Sequence, residues 1–97
     1  MEIWKKVIDE RLTVEYEISN FGRIRNTKTK RILKPKYKRG YTYYGLASDK
    51  KPIFLQTHRM VLIAFKPIKN PEKYQVNHIN HVRNDNRLDN LEWVTQQ

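Results

Sequence analysis

Alternating apolar and polar positions mark the first half of this chain and predict short β-strands. The segment VEYEISNFGRIRN, residues 14–26, alternates, breaks around Asn20 and Gly22, and then alternates again. A run of this kind predicts a tight hairpin, with Asn20 or Gly22 at positive φ in the turn.

The following segment, residues 30–56, predicts further short strands with turns near residues 39–40 and 49–52. The first eight residues predict an apolar anchor for the N-terminus. Its side chains are Ile3, Trp4, Val7 and Ile8.

The hydrophobic period changes in THRMVLIAFKP, which predicts a short helix near residues 57–66. Val61, Ala64 and Phe65 fall on one helical face, Thr57 can cap the first turn, and the following proline stops the helix.

Two further β-like runs, QVNHI and LEWV, are joined by an Asn- and Asp-rich loop. The predicted fold is α+β: a β-rich N-terminal half with hairpins, the short helix, and a C-terminal hairpin. A chain of 97 residues suits a single domain. Within this domain, we expect residues 1–51 to form a basic DNA-contact module and residues 52–97 to form an adjoining second unit.

The net charge of +10 is confined to the centre of the chain. Residues 23–51 contain eleven basic residues and one acidic residue, together with four tyrosines. Basic residues interleaved with aromatic ones are typical of a nucleic-acid surface. A solvated, charged sheet face is the simpler alternative, and an anionic membrane surface is another. The predicted DNA contacts are Arg23, Arg25, Lys28, Lys30, Lys34, Lys36, Lys38 and Arg59.

The chain contains no cysteine, which excludes disulfides and Cys-type zinc sites. No apolar run reaches the ~18 residues of a membrane span, and MEIWKKVIDE lacks the apolar core of a signal peptide. We therefore expect a cytoplasmic protein of a bacterial or phage-infected cell.

Two groups of motifs carry a family resemblance. WKKV followed by YEISNFGRIRN resembles the module at the front of phage- and intron-type homing endonucleases. THRMVLIAFKP, followed by YQVNHINHVRNDNRLDNLEWVT, is similar to the HNH nuclease unit of the same family. Together these motifs span nearly the whole chain.

The resemblance implies a metal-dependent endonuclease that hydrolyses phosphodiester bonds in double-stranded DNA. By this resemblance His78 is the general base. The side-chain oxygen of Asn77 is a ligand of a divalent metal ion, Mg²⁺ or Mn²⁺. Asn90, twelve residues after His78, matches the middle Asn of the motif. We expect Asn90 to pin the loop backbone and to hold His78 in one tautomer. The base and the metal oxygen are adjacent, so the strand must end or bulge there.

Simpler readings of the same residues stay open. Asn77 can be a turn residue at a strand edge, and His78 can be a packed, hydrogen-bonded core histidine. His58 can order the start of the helix or touch phosphate. His78 and His81 have a spacing that zinc can use, but no thiol and no firm third ligand accompany them.

The sequence ends where the family has a closing helix with a last metal ligand. From this we expect an incomplete ββα-metal unit that binds its metal weakly, with His81 as the nearest replacement ligand. Two functions follow: a truncated or impaired endonuclease, or a nuclease-dead module. The second would bind DNA or another DNA-handling protein, for example as a phage-borne nuclease inhibitor. No heptad or long apolar stripe is present, so we expect a monomer.

Overall fold

The fold consists of eight short strands and one α-helix within residues 1–96, the part of the chain that this computed structural model describes. Short 3₁₀ turns at Pro71–Lys73 and Leu88–Asn90 precede the last two strands. The elements are β1 (Trp4–Lys6), β2 (Tyr16–Ser19), β3 (Ile24–Asn26), β4 (Lys36–Lys38), β5 (Tyr41–Leu46), β6 (Ile53–Gln56), α1 (Thr57–Phe65), β7 (Tyr74–His78) and β8 (Leu91–Thr95).

All strand pairs are antiparallel and consecutive. The strands form two three-stranded sheets, β1-β2-β3 and β4-β5-β6, and the two-stranded hairpin β7-β8. This strand-rich architecture with a helix before the C-terminal hairpin confirms the predicted α+β fold.

The predicted turns are present where the sequence places them. Gly22 has φ of +83° between β2 and β3, and Gly40 has φ of +82° between β4 and β5. Glycine adopts this left-handed backbone without the steric cost that a Cβ imposes. The β4–β5 register pairs Lys38 with Tyr41, which makes this a two-residue hairpin turn.

Helix α1 covers Thr57–Phe65 and starts directly after β6. The expectation that Thr57 caps this helix is wrong. Strand β6 continues to Gln56, whose extended backbone (φ −71°, ψ 126°) takes the N-cap position, so Thr57 is already helical. Its buried hydroxyl oxygen has no hydrogen-bond partner within residues 1–96. No helix in this described part of the chain is long and apolar enough to cross a membrane.

The core lies where β2, β3, β5, α1 and the start of β8 meet. Its fully buried side chains are Ile18, Ile24, Leu46, Val61, Leu62 and Leu91. The predicted N-terminal anchor is only partly correct, since Val7 is 9% exposed but Ile3 and Ile8 are 52% and 77% exposed.

Candidate active site

His78 is the last residue of β7, and its ring is almost fully buried. It pairs with Leu91 in the hairpin register, and its side chain is 6% exposed. Its Nε2 atom lies 2.9 Å from Oδ1 of Asn86, which is buried to the same degree. An amide oxygen accepts only, so this contact assigns the ring proton to Nε2 and leaves the lone pair on Nδ1.

Asn90 lies at the centre of the loop that follows β7. Its Oδ1 accepts from the backbone N–H of Asn80 at 3.0 Å. Its Nδ2 donates to the Asp85 carbonyl and to Oδ1 of Asn80, both at 2.9 Å. These bonds agree with the expected bracing of the loop. The expectation that Asn90 itself holds the His78 tautomer is wrong, because the side chain in contact with His78 is Asn86.

A second buried histidine packs against the first. The ring centroids of His58 and His78 are 5.2 Å apart, and Tyr41 stacks on His58 at 5.6 Å. Burial, together with the nearby His78 and Arg59, lowers the pKa of His58 to about 4. His58 is therefore neutral at pH 7 and adds no charge beside His78.

Asn77 precedes His78 and pairs with Glu92 across the hairpin. Its Nδ2 donates to Oε2 of Glu92 at 2.7 Å, which places an amide group beside a carboxylate. Adjacent strand residues leave on opposite faces, so Asn77 and His78 diverge up to the point where β7 ends.

The oxygen donors near the end of β7 suit a hard cation better than a zinc ion. Within residues 1–96, no group of three or more His, Cys, Asp or Glu side chains is placed to hold a metal. The amide oxygen of Asn77 and the carboxylate of Glu92 fit Mg²⁺, which keeps several waters and takes one or two protein oxygens. His81 has an exposed side chain and φ of +63°, and its N–H donates to the His78 carbonyl at 2.9 Å.

Several of the predicted DNA contacts already have acidic partners. The guanidinium of Arg23 forms an ion pair with Glu2, and Arg25 pairs with Glu17 at 2.8 Å. Both guanidinium groups lie over the ring of Trp4, at 5.7 and 4.1 Å from its centroid. Lys30 is 3.6 Å from Glu17. The acidic N-terminal residues therefore neutralise part of the basic segment.

The remaining lysines of the basic segment point into solvent. Four of the predicted contacts among them form no ion pair with an acidic side chain within residues 1–96: Lys28, Lys34, Lys36 and Lys38. Lys38 and Arg39 stand at the rim of an open cleft of about 540 Å³. His58 and Tyr41, which contact His78, line the same cleft.

Arg59, another predicted DNA contact, lines this cleft and also donates hydrogen bonds within the fold. Its two terminal nitrogens donate to the carbonyl of Tyr74 at 3.0 Å and to the carbonyl of Pro71 at 2.9 Å. Its guanidinium also lies 5.4 Å from the ring centroid of Trp93. These contacts tie α1 to the start of β7, so the guanidinium is occupied within the fold.

Comparison with known proteins places this architecture in a family. Residues 2–47 match the NUMOD4 motif, and residues 55–97 match an HNH endonuclease family. This chain belongs to the HNH homing-endonuclease-type family. The solved structure of DNA binding and cleavage by the HNH homing endonuclease I-HmuI resembles it with a TM-score of 0.79 and 29% identity. That match covers 96% of this chain and 52% of the I-HmuI chain.

Two viral relatives share more sequence with this HNH-type chain. They are uncharacterized HNH endonucleases of Acanthamoeba polyphaga mimivirus, 42% identical over 96 residues and 38% identical over 92 residues. The matches cover 97% and 94% of this chain but only 24% and 26% of the relatives. The chain thus spans about a quarter of their length.

The sequence predicted His78, Asn77 and Asn90 as site residues but not three of the side chains that contact this group. Asn86 and Glu92 belong to the quoted motif, yet nothing in their spacing distinguishes them from other loop and strand residues. Tyr41 was read only as part of the basic, aromatic segment. Its contact with His58 and His78 depends on how the β4–β5 hairpin packs against β7.

Proposed function

We propose that this chain carries the catalytic base and part of the DNA-binding surface of a metal-dependent DNA endonuclease. The observation that carries this is the environment of His78. Asn86 contacts its Nε2 atom, and its ring packs against Tyr41 and His58. These two residues line a cleft that has Lys38 and Arg39 at its rim. The family membership and the likeness to I-HmuI support the same function.

The proposed chemistry starts at Nδ1 of His78. A neutral imidazole that donates from Nε2 can take a proton from water at Nδ1, which generates the nucleophile for phosphodiester hydrolysis. The Asn86 oxygen then accepts from the imidazolium as well, so the contact is kept when the ring becomes charged. Neutral His58 does not oppose that charge.

A divalent cation would be held by Asn77 together with Glu92. When bound, Mg²⁺ or Mn²⁺ supplies charge stabilisation for the phosphate and the leaving oxygen. Two protein oxygens make a weak site, so we expect binding on the order of millimolar.

The DNA surface is proposed to consist of the exposed side of β4 and the rim of the cleft. Lys36, Lys38 and Arg39 are exposed there, and Lys34 is exposed in the segment before β4. Arg23 and Arg25 would contribute less, because Glu2 and Glu17 already offset their charge. The partner is double-stranded DNA, whose phosphates such cations bind without reading sequence.

A second candidate function is DNA binding without cleavage. It is favoured by the divergence of Asn77 and His78, which leave β7 on opposite faces. In that case the basic surface would bind DNA, and the site around His78 would not hydrolyse it.

Supercoiled plasmid incubated with the protein and Mg²⁺ or Mn²⁺ separates the two functions. Metal-dependent nicking that disappears in His78→Ala supports the endonuclease. Plasmid that stays intact while gel-shift binding is retained supports the binding module. Equal nicking by the wild type and His78→Ala would remove His78 as the base.

A further inference from the structure

The β2–β3 turn, residues 19–23, comes unusually close to the active-site loop. Gly22 faces Asn86 with no side chain between them. A Cβ on Gly22 would lie 2.8 Å from Cβ of Asn86 and 3.0 Å from its carbonyl oxygen. Real Cβ atoms essentially never approach another atom to 2.8 Å, so a side chain at position 22 would force Asn86 or the turn to shift.

The turn is rigid on its own side. The Ser19 hydroxyl is fully buried and accepts from the backbone N–H groups of Phe21 at 3.1 Å and Arg23 at 3.2 Å. Gly22 donates its N–H to the Ser19 carbonyl at 2.9 Å. The Tyr44 hydroxyl on β5 donates to the Gly22 carbonyl at 3.2 Å. The backbone of Gly22 is therefore held in place by hydrogen bonds on its own side, and the active-site loop packs directly against it.

The loop is tied down on both sides of Asn86. Leu88 donates its N–H to the Asn20 carbonyl in the turn at 2.8 Å. The Asp85 carbonyl accepts from Asn90 at 2.9 Å. Asn86 lies between these two anchors, and its buried side chain contacts Nε2 of His78.

We propose that Asn86 is the positioning residue of His78, and that the β2–β3 turn sets Asn86 in place. The turn fixes the loop, the loop fixes the Asn86 amide, and the amide oxygen holds the ring in the Nε2–H tautomer with Nδ1 available. The Ser-Asn-Phe-Gly turn of the N-terminal module thus belongs to the active site of the HNH unit. This inference rests on the proposed role of His78 as base.

Imidazole ¹⁵N NMR of His78, at a pH where the ring is neutral, reads the tautomer without any activity. We expect the wild type to show the Nε2–H form alone. Gly22→Ala should give a mixture of both tautomers, because the added Cβ displaces Asn86. Gly40→Ala is the matched control, since Gly40 has the same backbone strain (φ +82°) but its Cβ would meet only the flexible Arg83 side chain at 3.3 Å. It should keep the wild-type tautomer.

Two substitutions of Asn86 test the same point without disturbing the turn, and they decide the matter if Gly22→Ala does not fold. Asn86→Ala removes the acceptor and should give mixed tautomers. Asn86→Asp keeps an acceptor oxygen and should restore the Nε2–H form. In nicking assays, Asn86→Ala should lower kcat by about 100-fold, as expected for a misplaced catalytic group, with KM nearly unchanged.

The failure of this inference differs from the failure of the proposed function. An unchanged His78 tautomer in both Gly22→Ala and Asn86→Ala overturns the positioning role, even if the protein cuts DNA. An Nδ1–H tautomer in the wild type overturns it as well. A wild type that never nicks DNA removes the proposed function, while the tautomer measurements still decide whether the turn positions His78.

Discussion

The imidazole rings of His58 and His78 lie 5.2 Å apart between centroids, although one comes from the first turn of α1 and the other from the end of β7. His58 is buried, and its pKa falls from 6.5 to about 4. The fold therefore keeps a neutral histidine directly behind the proposed base.

This burial makes stability depend on pH in a defined window. Above pH 6.5 His58 is neutral in both the folded and the unfolded chain, so its protonation does not lower the free energy of unfolding there. As pH falls towards 4, the unfolded chain binds the proton first and the free energy of unfolding drops by about 3 kcal/mol. Urea unfolding between pH 7 and 5 measures this slope. His58→Gln should flatten it, and His81→Gln, at an exposed position, should not.

Asn90→Ala is expected to lower the stability of the fold rather than to remove a group that takes part in hydrolysis. The substitution leaves the N–H of Asn80 and the carbonyl of Asp85 without their partner. We expect the free energy of unfolding to fall by about 1–3 kcal/mol. His78→Ala should instead remove nicking while the protein stays folded. Calorimetry and plasmid nicking on both variants separate the roles, and a stable but inactive Asn90→Ala would contradict this assignment.

DNA binding should depend on salt through the exposed lysines. The logarithm of the affinity is expected to fall linearly with the logarithm of salt concentration, with a slope of about −0.9 per phosphate contact. Lys36→Ala and Lys38→Ala should each make that slope shallower by about one. Arg23→Ala should change it less, because Glu2 already pairs with Arg23. Affinity that does not vary between low and high salt would remove the basic surface as the binding site.

The metal requirement should change with Glu92. Glu92→Gln keeps an oxygen beside Asn77 but removes the negative charge, so nicking should need a higher concentration of Mg²⁺ or Mn²⁺. Asn77→Ala should shift the metal titration in the same direction. Glu72→Gln is a suitable control, since Glu72 is exposed in the 3₁₀ turn before β7. A metal titration that is the same in wild type and both variants would exclude this pair as ligands.

Arg59→Met is expected to destabilise the fold without altering the salt dependence of DNA binding. Methionine fills the space of the aliphatic stem but cannot donate to the carbonyls of Pro71 and Tyr74. A loss of about 1–3 kcal/mol in the free energy of unfolding is expected. A salt slope that becomes shallower in Arg59→Met would restore Arg59 as a phosphate contact.

The sequence alone determined the local elements of this protein. A period of two with glycine in the breaks predicted the hairpins around Gly22 and Gly40, and a change of period predicted helix α1. These features follow from backbone preferences and from the burial of one face, which neighbouring residues specify. The motif also predicted Asn77, His78 and Asn90 as site residues, and it indicated the family.

Only the tertiary structure decided which side chains meet. Asn86 instead of Asn90 contacts His78, His58 and Tyr41 pack behind the base, and Glu2 and Glu17 offset the charge of two predicted DNA contacts. The loop contact of Asn86 and the pair of Glu2 with Arg23 involve residues outside the strands, and each of the other pairs joins different strands or a strand and the helix. Their distances depend on how the sheets pack around the core, and the pattern along the chain does not contain that information.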